Sequence, residues 1–213
     1  MTEIESIKAS IKVGLKVFED NTAEYRKINE NFDVLDFRRP NSALYSFRMV
    51  FDREHGNAAY ISGDLGEAVI YPTCECTLEG FAKCFTKRRE DGTLDINEQY
   101  FKERIRACNP NYGIYTYEVD DVKADLRDQF DKYGAAPLWN EFEEEYFDAL
   151  YADVKVFPTF GVVFSDRAKE FLRYRVGMET EDFRDLGKRT NQYVVLWLVA
   201  IRLAYEQLEA KKC

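Results

Sequence analysis

The chain has 213 residues, of which 46% are hydrophobic and 32% charged, a composition that fits a folded globular domain and excludes a disordered or fibrous protein. Its formal charge of −9 repels nucleic-acid phosphates and attracts basic surfaces, so direct nucleic-acid binding is not expected. The longest apolar run, "YVVLWLVAIRLA" from Tyr193 to Ala204, falls short of the roughly 20 residues of a bilayer span and is interrupted by Arg202, which predicts a buried core helix and no membrane partner.

In chain order, Ile4, Ile7, Ile11, Leu15 and Phe18 recur at three-to-four spacing and predict an amphipathic helix over residues 3–19, which carries no signal-peptide pattern. A further turn or two of helix is expected from Thr22 to Asn29. The period then shortens to two. "DVLDFRRP" reads as an edge strand stopped by Pro40, and "LYSFRMVF" as a half-buried strand with Tyr45, Phe47, Met49 and Phe51 on one face. "AAYIS" and "EAVIYP" supply two more strands, separated by a Gly63–Gly66 turn. Thr77 is placed to cap a short helix ending at Phe85. Asp95 and Glu98 resemble a capping box for a helix that stops at Asn109 and Pro110.

"YGIYTYEV" reads as a strand or extended connector. Beyond it the pattern is helical: Val122, Leu126 and Phe130 with Gly134 as the stop, then a helix begun by Pro137 and running through Leu150. The extended piece "VFPTFGVVF" interrupts it, helices resume at Ser165, and a long one spans about Thr190 to Leu208. The fold class is therefore α+β: a small antiparallel meander over about residues 34–75 packed with several helices, and a mostly helical C-terminal half. One domain over 1–213 is expected, with a subdivision into 1–90 and 91–213 near Arg88 to Asp95 as the alternative.

The residue types that carry chemistry are sparse. His55 is the sole histidine and lies in the turn "REHGN"; no Walker loop, dinucleotide fingerprint or HExxH occurs. Five cysteines, Cys74, Cys76, Cys84, Cys108 and Cys213, are an odd number at spacings unlike zinc knuckles. They predict reduced thiols in a cytoplasmic setting, with Cys213 fraying, and neither a metal nor a cofactor is expected. Asp64, between Gly63 and Gly66, could ligate Mg²⁺ or accept a ligand hydroxyl, but turn chemistry alone accounts for it. Arg38, Arg39 and Arg48 with Tyr45 and Tyr60 form a small basic and aromatic group.

The strongest signal is the distribution of charge. Between Tyr117 and Asp153, twelve acids face only Lys123, Arg127 and Lys132, which equals the whole formal excess of nine. Asp121, Asp125 and Asp128 share one helical stripe, and Glu141, Glu144, Glu145 and Asp148 another.

The segment "RRPNSALYSFRMVFDREHGNAAYISGDLGEAVIYPTCECTLEGFAKCF", with "ISGDLGEAV" at 61–69, resembles uncharacterised proteins of phages, prophages and mobile elements of Firmicutes, over roughly residues 37–85. The resemblance implies no catalytic residue; it implies an accessory gene, a class in which acidic inhibitors of host defence, anti-CRISPR proteins among them, are common. The leading expectation is thus a non-enzymatic acidic inhibitor that binds a basic, nucleic-acid-binding surface of a host protein through Asp121, Asp125, Asp128, Glu141, Glu144, Glu145 and Asp148. Two alternatives stand beside it. One is a protein that binds or cleaves a nucleotide or small molecule around Arg48, Tyr60 and Asp64. The other is a scaffold that forms a homodimer through its apolar C-terminal helix.

Overall fold

The computed structural model describes residues 2–109, 113–156 and 161–212. Expectations for Cys213, for the Pro110 stop and for the central residues 157–160 of the extended piece lie outside the described residues. The fold is α+β and divides into two compact units, one formed by Thr2–Ile114 with Thr190–Cys213 and the other by Tyr115–Arg189.

The larger unit begins with α1 (Glu3–Val17), opened by a Thr2–Glu5 capping box. Strands β1 (Thr22–Lys27), β2 (Phe32–Arg38), β3 (Phe47–Asp52), β4 (Ala58–Gly63) and β5 (Ala68–Ile70) then run as an antiparallel meander. Helix α2 (Leu78–Phe85) is capped by Thr77, whose Oγ1 accepts the Gly80 N–H at 3.1 Å, as expected. The hairpin of β6 (Thr86–Arg88) and β7 (Leu94–Ile96) follows, with its turn at residues 89–93 inside this unit. After α3 (Glu98–Arg104), strand β8 (Ile105–Cys108) pairs with β5 and completes a six-stranded sheet in the order β1-β2-β3-β4-β5-β8.

Several sequence expectations are corrected here. Residues 22–27 are a strand rather than a helix: Ala23 and Tyr25 turn inward and alternate with exposed Thr22, Glu24 and Arg26. Because β1 pairs outside it, β2 is an interior strand. Strand β3 starts at Phe47, and Tyr45 sits in the preceding loop with φ +54°. Helix α3 is capped by Asn97, not Asp95, which lies in β7; it ends at Arg104 because the next four residues pair with the sheet.

One face of the sheet buries Leu35, Phe37, Phe47, Met49, Phe51, Ile61 and Ile70. The last helix, α7 (Gln192–Ala210), belongs to the same core. Every residue from Val194 to Ile201 is buried, the signature of a helix enclosed on all sides. It packs against α1 where Gly14 leaves no room for a side chain, since a Cβ there would lie 3.1 Å from Leu196 and Val199 carbons. Helix α7 also covers the outer edge of β1: Gln207 Oε1 accepts the Ala23 N–H at 2.9 Å and Lys211 Nζ donates to Ala23 O at 3.3 Å, a device against edge-to-edge pairing. The apolar side chains expected to drive dimerisation are therefore spent in the core.

The smaller unit contains β9 (Tyr115–Tyr117), α4 (Val119–Lys132), a 3-10 turn (Ala136–Leu138), α5 (Trp139–Val156), α6 (Asp166–Phe171), a π-helical turn (Leu172–Val176) and β10 (Lys188–Thr190), which pairs with β9. Helix α6 begins where helices were expected to resume, and Ser165 caps it through its side chain. A separate core forms around Val122, Leu126, Phe130, Phe142, Leu150, Phe171, Leu172 and Met178. Edge-on packing of Phe130 against Trp139, centroids 5.2 Å apart, fixes α4 on the start of α5.

Candidate functional site

Helices α4 and α5 place the seven expected partner-binding carboxylates in two electrostatic states. Asp125 is held by a guanidinium fork: Arg189 Nη2 donates to Oδ1 at 2.7 Å and Nη1 to Oδ2 at 2.9 Å, while the Gly187 N–H donates to Oδ2 at 2.8 Å. Asp121 lies 3.4 Å from the Nε of the same arginine, whose side chain is only 11% exposed. On α5, Glu141 faces Arg175 at 3.8 Å and Glu145 pairs with Arg167. These four acids are tied internally. Asp128, Glu144 and Asp148 are exposed and make no ion pair among the described residues. The near-buried position of Arg189, invisible to a count of acids and bases over 117–153, decides which members of the α4 stripe face solvent uncompensated.

The sheet separates the other expected triad. Arg48 and Tyr60 project from its open face, where register aligns Val34, Val50, Tyr60, Val69 and Ala107 in one row and Glu24, Asp36, Arg48 and Ser62 in the next. Arg48 Nε donates to Asp36 Oδ1 at 2.6 Å and Arg26 Nη2 to Asp36 Oδ2 at 2.7 Å. Burial works to raise the pKa of Asp36, but Arg48 and then Arg26 outweigh it and hold the carboxyl below its usual range. Arg48 lines a hollow with Ser46, Ser62 and Gly63, whereas Tyr60 lines another with Val69 and Ala107. Asp64 is engaged elsewhere: its Oδ2 accepts the Tyr45 N–H at 2.8 Å, and its own N–H donates to Ser46 O at 3.1 Å. Asp64 thus ties the β4–β5 turn to the β2–β3 loop. Gly63, at φ +131°, is required there because a Cβ would approach Ser46 O to 2.4 Å.

The thiols and the histidine have local partners. Burial, followed by a hydrogen bond with Cys84, pushes the Cys74 thiol up to about 12, and burial pushes Cys76 up to about 11; Cys76 Sγ donates to Ala58 O at 3.2 Å. Both are protonated, poor nucleophiles near neutral pH. His55 Nδ1 lies 3.1 Å from Asp52 Oδ2 at the exposed β3–β4 turn. Among the described residues no group of three or more His, Cys, Asp or Glu side chains is placed to hold a metal ion, and no helix is long and apolar enough to cross a membrane.

Asp36 is the residue that sequence reasoning missed on the open face. Its signal was the alternation in "DVLDFR", which turns an acid outward opposite a strand carrying Arg48. No protein-family model, curated protein or solved structure matches the chain.

Proposed function

We propose that the chain is a binding protein that docks on a cationic protein surface through the uncompensated carboxylates of α4 and α5. The observation that carries this reading is the split among these acids: Asp128, Glu144 and Asp148 are exposed and make no ion pair with the described residues, beside acids that arginines hold. Glu144 and Asp148 are four residues apart on one helix, a like-charge spacing that costs a few tenths of a kcal/mol. A basic partner relieves that repulsion and gains long-range attraction. The counterpart best suited to such a surface is one that normally receives nucleic-acid phosphates. In its narrowest form, suggested by the resemblance to mobile-element proteins, the partner is a nuclease of a host defence system and the chain is its inhibitor.

The test is capture of partners from a host lysate, at low and high salt, by the wild-type chain and by the triple variant Asp128→Lys, Glu144→Lys, Asp148→Lys. Nucleic-acid-binding proteins retained at low salt, released at high salt and lost by the variant support the proposal. Equal capture by a folded triple variant ends it.

A further inference from the structure

A cavity of about 610 Å³ opens at the corner of the sheet where the β2–β3 loop begins, lined by Thr22, Glu24, Arg38, Arg39, Ser42 and Ser46 among others. A smaller hollow of about 260 Å³ shares Arg38 and Ser46 with it and reaches Arg48. We infer that this corner binds a small phosphorylated sugar, free or as part of a nucleotide, with Arg38 and Arg39 on the phosphate and Glu24 accepting from sugar hydroxyls.

The donors are present, and Arg38 is uncommitted among the described residues. The Arg38 guanidinium makes no hydrogen bond or ion pair with the described residues, in contrast to Arg48, which is spent on Asp36. Among the described residues Arg39 has one ion pair, to the exposed Asp20 at 3.2 Å, and its Nε is buried without an acceptor. Both arginines line the cavity, and a guanidinium group presents the planar fork that suits phosphate oxygens. Ser42 Oγ accepts the Leu44 N–H at 3.1 Å and Ser46 Oγ accepts the Asp64 N–H at 3.2 Å, which leaves each hydroxyl proton to donate to a ligand. Glu24, 3.5 Å from Arg26, supplies the one carboxylate of the lining, disfavouring a second anion and offering acceptors to hydroxyl groups. The volume lies within the roughly 300–1,000 Å³ of small-molecule sites.

The loop is also set before any ligand arrives. Asn41 and Tyr45 hold left-handed conformations at φ +58° and +54°, a strained state that persists only where surroundings enforce it. Here Asp64 Oδ2 takes the Tyr45 N–H at 2.8 Å and Asn21 Nδ2 donates to the Tyr45 carbonyl at 3.0 Å. Asp64 is therefore a positioning residue for the arginine loop, and the Gly-Asp-Leu-Gly turn has a role in binding without touching the ligand.

The test is titration of the full chain with ribose 5-phosphate, AMP and inorganic phosphate, followed by calorimetry and amide chemical shifts. Saturable binding of ribose 5-phosphate with shifts at Ser42 and Ser46, weakened at least tenfold in Arg38→Gln and in Arg39→Gln, is the expected result. AMP binding tighter than ribose 5-phosphate identifies the nucleotide form, and equal binding the free sugar phosphate; both support the site. Asp64→Asn should weaken binding while both arginines remain, with shift changes spread over 41–46. No saturable binding, binding untouched by folded arginine variants, or inorganic phosphate bound as tightly as ribose 5-phosphate overturns the inference.

Discussion

Removing the Asp125 carboxylate should destabilise the smaller unit while leaving partner binding nearly intact, the opposite of what a surface acid does. Asp125→Ala takes away both oxygens that receive the Arg189 fork and the acceptor of the Gly187 N–H. Stranding a fully buried charge costs about 3–5 kcal/mol. Arg189 is 11% and Asp125 25% exposed, and Asp121 stays 3.4 Å from Arg189 Nε, so partial hydration and a second carboxylate reduce the expected loss to about 2 kcal/mol. With a urea dependence of about 1–3 kcal/mol per molar, the midpoint should fall by roughly 1 M. Asp128→Ala, at an exposed site without an ion pair among the described residues, should stay within about 0.5 kcal/mol. Urea unfolding followed by circular dichroism measures both. Equal stability of the two variants would refute the division of the α4 acids into internally paired and solvent-facing groups.

The remaining predictions concern the larger unit. Asp33 and Asp36 are both held below the usual carboxylate range: burial raises each, but Arg53 and Tyr25 outweigh it at Asp33, as Arg48 and Arg26 do at Asp36. A depressed folded-state pKa contributes stability above the unfolded value of about 3.9 and loses it as pH falls through the lower folded value. Urea midpoints should therefore drop between about pH 5 and pH 2, and Asp36→Asn should flatten that dependence; an unchanged slope would contradict it. Cys74 and Cys76 should resist iodoacetamide at about pH 8 in the native protein and react on unfolding, as mapped by mass spectrometry of their peptides; rapid native labelling would contradict the raised thiol pKa values. Gly63→Ala should cost at least about 1–3 kcal/mol in thermal or urea unfolding, because it adds left-handed strain to a collision with the Ser46 carbonyl; a neutral effect would show that the turn can shift.

Helices α1, α4 and α5 were legible because each repeats apolar residues at the helical period, α7 because its run from Val194 to Ile201 is apolar throughout, and α2 because Thr77 announces its cap. Strand β1 was not. "TAEYRK" is too short to display its period, and what makes it a strand is pairing with β2 plus the Gln207 and Lys211 side chains, 184 and 188 residues away from Ala23. Strand β8 failed for the same reason: four residues directly after a helix become a strand only because β5 offers a free edge. At the candidate site, composition revealed the acidic stretch but not its division, since Arg189 lies 64 residues beyond Asp125. The Arg38 and Arg39 pair stood plainly in the sequence. What could not be read was that Asp64 would accept the Tyr45 N–H and so tie down their loop.

The most direct test of the central claim is the salt dependence of affinity between the chain and its captured basic partner, compared for the wild type and the Asp128, Glu144, Asp148 triple lysine variant. A steep fall in wild-type affinity with rising salt, and no binding by the folded variant at any salt, is the predicted result. Affinity that ignores both salt and the three reversals would contradict it.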